Sequence, residues 1–375
     1  MSAFGRKRTF LFALHMSAFE GKADIVRPIP TVILTRYDAL SRLGGSMRRR
    51  EFITFAGAAI AAWPRVLHGQ EPNKIPHLCF LTFDPGTLQS RSPRFDAFFE
   101  SLRELGYVNG QTISIDYLSA EGSDERFPDL VSECLRRKAD VIAVSTTPAA
   151  QAAKRATRSV PIVMIALGDP VGTGLVESVA KPGGNVTGMS MMVPELAVKR
   201  LELLKEAVPG ISRVLVLSYL ADPIAPLQVA ALDKAAPSLG VTIFVRDIRA
   251  EGNIAAAFDA GVRERVDGLL VTAESVLVVH RVQINEFAAR LKLPAVYPYS
   301  IQVTDGGLMA YDVNIPELHR NAALYVDKIL KGAKPSDLPI QQPAKLRLVI
   351  NLKAAKAVGL KLPSSLLTRA DEVIE

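Results

Sequence analysis

Residues able to bind a small polar molecule gather where apolar runs of strand length end. Thr82, Phe83 and Asp84 follow "HLCFL"; Ser145, Thr146 and Thr147 follow "DVIAV"; Asp169 follows "PIVMIAL". Further along, Tyr219 follows "RVLVLS", Glu274 follows "DGLLVT", Tyr299 follows "AVYP", and Asp312 lies in "GGLMAYDVN". Hydroxyls and unpaired N–H groups at helix starts suit a carboxylate, because the donors and the helix dipole both favour an anion there. A carboxylate such as Glu274 or Asp312 suits an ammonium, and Phe83, Tyr219 or Tyr299 can cover an apolar side chain. Each residue alone is an ordinary cap or turn former. As a set they describe a polar-edged cleft for a small-molecule solute.

Signatures of catalysis are absent at the level of motif. "GDPVGTG" (168–174) follows a strand as a phosphate loop would, but matches neither GxGxxG nor GxxxxGK[ST], and "KPGGNVTG" (181–188) fails in the same way. Their glycines are read as turns and close backbone approaches. "GMSMM" (188–192) has Met192 where a nucleophile elbow needs its second glycine. The histidines beyond residue 70 are His77, His280 and His319, none at metal-ligand spacing. The expectation is therefore no catalytic residue, no metal and no cofactor.

The elements that must place these residues alternate apolar runs of strand length with amphipathic runs of helix length, the pattern of βαβ units around parallel sheets. A first series has strands at 77–83, 112–118, 140–146, 161–167 and 185–192, and helices at 92–105, 126–137 and 148–157. After a long helix at 194–207, a second series has strands at 213–220, 241–248, 267–274 and 295–300. The tail adds strands at 306–314 and 345–351 and helices near 316–331 and 352–360. The fold class predicted is α/β: two Rossmann-like lobes with parallel sheets, joined by hinge crossovers near Gly306-Gly307 and between Pro335 and Pro343. Ligands of open α/β sheets bind at the carboxyl ends of the strands, so two facing rims enclose one cleft.

Charge and the amino-terminal region bound the setting. The chain carries +7, but residues 1–69 hold 11 of the 45 Lys and Arg and 4 of the 38 Asp and Glu, leaving 34 of each beyond them. With no basic block or zinc-finger spacing in that neutral remainder, no nucleic-acid partner is expected. "MRRREFITFAGAAIAAWPRVLHGQ" begins at Met47: three arginines, an apolar run to Trp63 too short to span a bilayer, then Pro64. It reads as an export signal over 47–69 with a cut near Gln70, and Arg49-Arg50-Glu51-Phe52-Ile53 is similar to a twin-arginine (Tat) motif. Residues 1–46 read as an over-extended N-terminus with Met47 as the start. Cys79 and Cys134 belong to no CxxC pattern and are expected as separate buried thiols, although an oxidising compartment would let them pair.

Assembled in order, "RRREFI", "FDAFFESLRELGYVNGQTISIDY" (95–117), "TTPAAQAAKRAT" (146–157), "PIVMIALGDPVGTGLVESVAKPGGNVTG" (161–188), "KRLELLKEAVPG" (199–210) and "DGGLMAYDVN" (305–314) resemble the ABC transporter substrate-binding proteins, from Met47 to about Gly359. The "GDPV…PGGNVTG" block is the most specific of these. The resemblance implies a type I periplasmic-binding-protein fold whose cleft closes on a solute and is presented to an ABC permease. It implies a periplasmic, monomeric receptor, with an amino-acid-like ligand because better-known relatives bind aromatic or branched amino acids. The lobes are expected as 70–190 with 304–335, and 191–303 with 336–375. The competing readings are an exported α/β hydrolase and a ligand sensor for a membrane kinase.

Overall fold

The computed structural model describes residues 75–249 and 252–375; the signal and the stretch before it lie outside the described residues. The first sheet holds β1 (His77–Thr82), β2 (Ser114–Ser119), β3 (Val141–Val144), β4 (Ile162–Leu167) and β5 (Val186–Ser190), all parallel, in the order β2-β1-β3-β4-β5. The inner strands β1, β3 and β4 are nearly continuous apolar runs because both faces are covered, whereas the edge strand β2 is half-buried and carries Asp116 and Ser114. Side chains alternate between the faces. Leu78, Phe80, Val141, Ala143, Val163 and Ile165 pack on one side; Cys79, Leu81, Ile142, Val144, Ile162 and Met164 pack on the other. Helix α1 (Asp96–Glu104) brings Phe98 and Phe99 onto Phe80, and Tyr117 stacks on the same ring. On the opposite face α2 (Phe127–Arg136) lies against β1, and Cys79 is bonded to Cys134. The expectation of separate thiols is thus corrected: the packing of α2 on β1 sets the two Cα atoms 5.8 Å apart, within reach of a bridge. Helix α3 (Thr147–Ala156) follows β3 directly.

Gly188 shows why the "PGGNVTG" block needs its glycines. Its φ is +135°, and a Cβ there would fall 2.2 Å from the Met164 carbonyl oxygen on β4. Any side chain would push β5 off the sheet edge.

The second lobe starts with α4 (Val193–Ala207) and builds on β6 (Arg213–Ser218), α5 (Ala225–Ala235), β7 (Thr242–Asp247), α6 (Gly252–Arg263), β8 (Gly268–Val271), α7 (Ser275–Val279), α8 (Arg281–Arg290), β9 (Ala295–Tyr297), α9 (Ser300–Thr304) and β10 (Met309–Val313). Then come α10 (Ile315–Leu330), β11 (Leu346–Asn351), α11 (Leu352–Ala357), α12 (Ser364–Thr368) and β12 (Glu372–Ile374). The second sheet runs β12-β11-β10-β9-β8-β6-β7, parallel except that β11 runs against β10. β12 and α12 fall outside the periodic pattern read from the sequence.

The chain passes between lobes three times. Met192, held at φ 52°, turns the chain from β5 into α4. Asn314, whose side chain accepts from the Glu317 N–H, turns it from β10 into α10. The third passage follows Gln341, whose N–H donates to the Gly188 carbonyl, and leads into β11. The segment expected whole in the first lobe, 304–335, therefore divides: β10 is a strand of the second sheet, while α10 packs on α1 and β4. The crossover falls at Asn314 and not at Gly306-Gly307, because β10 first pairs with β9 and β11 in the second sheet; Gly307 instead lets the backbone pass the Tyr297 ring, 2.6 Å from where its Cβ would lie.

Candidate functional site

Between the strand rims lies a cavity of about 570 Å³, lined from the first lobe by Asp84, Arg94, Phe95, Ser145, Thr146, Thr147 and His319, and from the second by Asp222, Ile224, Ala273, Tyr299, Ser300 and Asp312. That size suits a small organic molecule. On the first-lobe wall, Thr146 caps α3 by accepting from the Ala149 N–H at 3.3 Å. Beside it the Ser145 hydroxyl is buried and has no partner. A helix start, a free hydroxyl and the Thr147 side chain together make an anion-receiving corner.

The second-lobe wall carries the opposite charge. Asp312 is 1 % exposed; its Oδ2 accepts from the Ser300 N–H at 2.8 Å and from Arg347 Nη2 at 3.3 Å. Its Oδ1 has no partner. Burial pushes this carboxyl above the ordinary range, and the Ser300 and Arg347 contacts pull back towards ionisation. Beneath it, Arg200 is buried and ties the ends of β9 and β10 together: Nε donates to the Tyr311 carbonyl at 2.9 Å and Nη2 to that of Pro298 at 3.5 Å. Burial pushes the guanidinium pKa down to about 10. The Tyr299 hydroxyl donates to the Ala273 carbonyl at 3.1 Å, which fixes its ring in the wall.

Of the residues singled out by sequence, Asp84, Ser145, Thr146, Thr147, Tyr299 and Asp312 line the cavity. Asp84 is already paired with Arg94 at 2.6 Å. The other five lie behind or beside the wall. Thr82 is buried and accepts from the Asp84 N–H. Phe83 packs in the core, because alternation turns it away from the rim. Asp169 accepts from the N–H groups of Val171 and Gly172 and so shapes its own loop. Tyr219 meets Asp124 across the cleft; burial is the first cause that lifts their pKa values, to about 12 and about 6. Glu274 is 1 % exposed and is held by Gln228, Thr272 and the Tyr219 N–H, an internal strut of the second lobe. Sequence reading missed Arg94, Phe95, Asp222 and His319. The first two open the helix after β1, and a survey of helix starts as well as strand ends would have found them.

The "GDPVGTG" loop also makes an interlobe contact. A Cβ on Gly168 would lie 2.5 Å from Ile224 Cγ1, and one on Gly172 would meet both Asp169 Oδ2 of its own loop at 2.3 Å and Leu227 Cδ1 at 2.8 Å. Its glycines are sockets for the second lobe. Ser190 of "GMSMM" gives its hydroxyl to the Gly168 carbonyl at 2.8 Å. Among the described residues no cluster of three or more His, Cys, Asp or Glu could hold a metal ion, and no helix is long and apolar enough to cross a membrane.

Two lobes, three crossovers and a cavity at facing strand rims are the architecture of a solute receptor, and residues 88–374 match the family model described as ABC transporter substrate binding protein. The chain belongs to that family. This substrate-binding protein has the type I periplasmic-binding-protein fold. It is 28 % identical over 265 residues, 70 % of this chain and 76 % of the relative, to a tyrosine-binding protein of Clostridioides difficile (strain R20291). Among solved structures it resembles an ABC domain from Streptococcus pneumonia in complex with L-Trp, with a TM-score of 0.72 and 27 % identity, covering 80 % of this chain and 99 % of that one. The ligand-free, open structure of a substrate binding protein with adhesive properties from Clostridium difficile has the same identity and coverage but a TM-score of 0.57.

Proposed function

We propose that this substrate-binding protein acts outside the cytoplasm as a monomer, captures an amino acid with an apolar side chain between its lobes, and presents it to an ABC permease. The observation that carries the reading is a pair of buried, unpartnered groups on opposite walls of one cavity: Asp312 Oδ1 and Ser145 Oγ. A buried polar atom left unpaired costs about 1–3 kcal/mol. A zwitterion offsets both costs, its ammonium at Asp312 and its carboxylate at the Ser145–Thr147 corner. Phe95, Ile224 and Ala273 supply the apolar surroundings for a side chain.

The relatives support the ligand class, since one is named for tyrosine and another holds L-Trp. The better superposition on the L-Trp complex than on the open form supports a lobe arrangement near the ligand-bound one. The Tat-like signal over 47–69 supports export to the periplasm. No catalysis belongs to the reading, and the engagement of Ser190 by Gly168 supports that. The test is a thermal-shift screen of the purified protein against free amino acids, nucleosides, sugars and aromatic acids. Ligand at a hundredfold over Kd stabilises by about 2.7 kcal/mol, which raises Tm by several degrees. A shift only with a non-amino-acid class sinks the amino-acid reading.

A further inference from the structure

One group on the cavity wall has no part in binding a zwitterion. His319, in the second turn of α10, is 4 % exposed, and its ring stacks on that of Phe95 with centroids 5.8 Å apart and planes at 21°. Both residues line the cavity. Burial, then the neighbouring Arg94 guanidinium, push its pKa down to about 3, so the imidazole is neutral. A neutral imidazole has one N–H and one bare lone pair. His319 Nδ1 is buried and has no partner. For stacking on Phe95 alone, a phenyl or aliphatic side chain would serve without burying an unpaired nitrogen. The polar atom calls for a partner in the bound state.

We infer that His319 is a specificity residue of this cavity, accepting a hydrogen bond from the N–H or O–H on the ring of an aromatic amino acid, so that a donor-bearing ring is favoured over a plain one. The inference rests on the amino-acid reading above and narrows it. Phe95 presents a flat ring against which an aromatic side chain can pack, and the lone pair, which lies in the plane of the His319 ring, meets the tip of a side chain that approaches the imidazole edge-on. A ligand without the donor leaves that nitrogen unpaired in a closed cleft. Sites built this way discriminate more sharply than apolar pockets that distinguish only size.

The experiment is titration calorimetry of the full chain with two ligand pairs: L-tryptophan against its benzothiophene analogue, which has sulfur in place of the ring N–H, and L-tyrosine against L-phenylalanine. In the wild type the donor-bearing member of at least one pair binds at least about tenfold more tightly. In His319→Phe, which keeps the stacking, that ratio falls towards one through loss of the donor-bearing ligand, while the donorless ligand keeps its affinity. His319→Gln, which offers an acceptor oxygen, restores part of the preference. Ratios near one in the wild type for both pairs overturn the inference and leave the amino-acid reading standing, as does a ratio unchanged in His319→Phe. If that variant fails to fold, the wild-type ratios and His319→Gln decide, and loss of all preference in the Gln variant counts against an acceptor role. Binding of none of the four overturns the inference, and binding of no other amino acid either overturns the reading beneath it.

Discussion

Replacing Asp312 with Asn removes one charge from the cavity wall and keeps the shape of the side chain. In the ligand-free protein the Asn oxygen can still accept from the Ser300 N–H and Arg347 Nη2, which share Oδ2, so the loss is the charge itself, felt by Arg347, whose side chain is 31 % exposed, and by the buried Arg200. Burial raises the Asp312 carboxyl above its ordinary range. A carboxyl whose folded pKa is raised weighs against folding at neutral pH, and its removal relieves that. The lost support of Arg200 opposes that relief, so the ligand-free Asn variant should melt near the wild-type Tm. Binding should behave differently. Removing one partner of a buried charge-assisted contact costs about 2–5 kcal/mol, and with its oxygen on the Ser300 N–H the Asn turns its amide N–H groups, not an acceptor, to the ammonium. At 1.4 kcal/mol per tenfold, about 2–5 kcal/mol weakens Kd by roughly 30- to 4,000-fold. Calorimetry with the best amino acid from the thermal screen, alongside melts without ligand, reads both quantities. A Kd within about threefold of wild type, well under 1 kcal/mol, would refute the ammonium role. A large fall in the ligand-free Tm would assign Asp312 to the fold and not to the site.

Three further outcomes follow from the same geometry. Burial raises the pKa of Asp124 to about 6, Asp222 to about 7 and Glu274 to about 8, so in this range the folded protein holds more protons than the unfolded chain. Stability should fall from pH 5 to 8.5, by up to about 1.4 kcal/mol per pH unit for each titrating group, with Glu274→Gln flattening the upper part; a Tm that rises across the window contradicts this. The Cys79–Cys134 bond closes a sequence separation of 55 residues. Changing both to Ala should cost about 4 kcal/mol in chemical denaturation, and an unchanged midpoint would argue against the bond. Leu227 fills the Gly172 socket outside the cavity lining. Leu227→Ala should lower the population of the closed form and weaken ligand binding with a more open shape in small-angle scattering, whereas equal Kd and equal shape would show that this contact does not set closure.

The sheets were legible because parallel strands buried on both faces read as unbroken apolar runs: β4, expected at 161–167, is Ile162–Leu167, with every residue buried. The rim was legible as a set because strand ends are where polar residues interrupt those runs. Which member faces the ligand was not legible. Asp312 and Glu274 look alike in sequence, yet only the first lines the cavity, since Gln228 on α5 reaches behind β8 to hold the second. Asp169 was misleading because an aspartate before a glycine turn satisfies its own loop as readily as a ligand. His319 left no local signal: it lies in an amphipathic helix, and only the packing of α10 across α1 brings it to Phe95. The cysteine pair and the division of 304–335 depend on contacts far apart in the chain, which no periodicity records.

The most direct measurement is a crystal structure of the protein with the amino acid that gives the largest thermal shift. The ammonium is predicted within hydrogen-bond distance of Asp312 Oδ1 and the carboxylate at the Ser145–Thr147 corner, with the side chain directed to Phe95. A ligand bound outside this cavity, or one whose carboxylate lies at Asp312, would contradict the account.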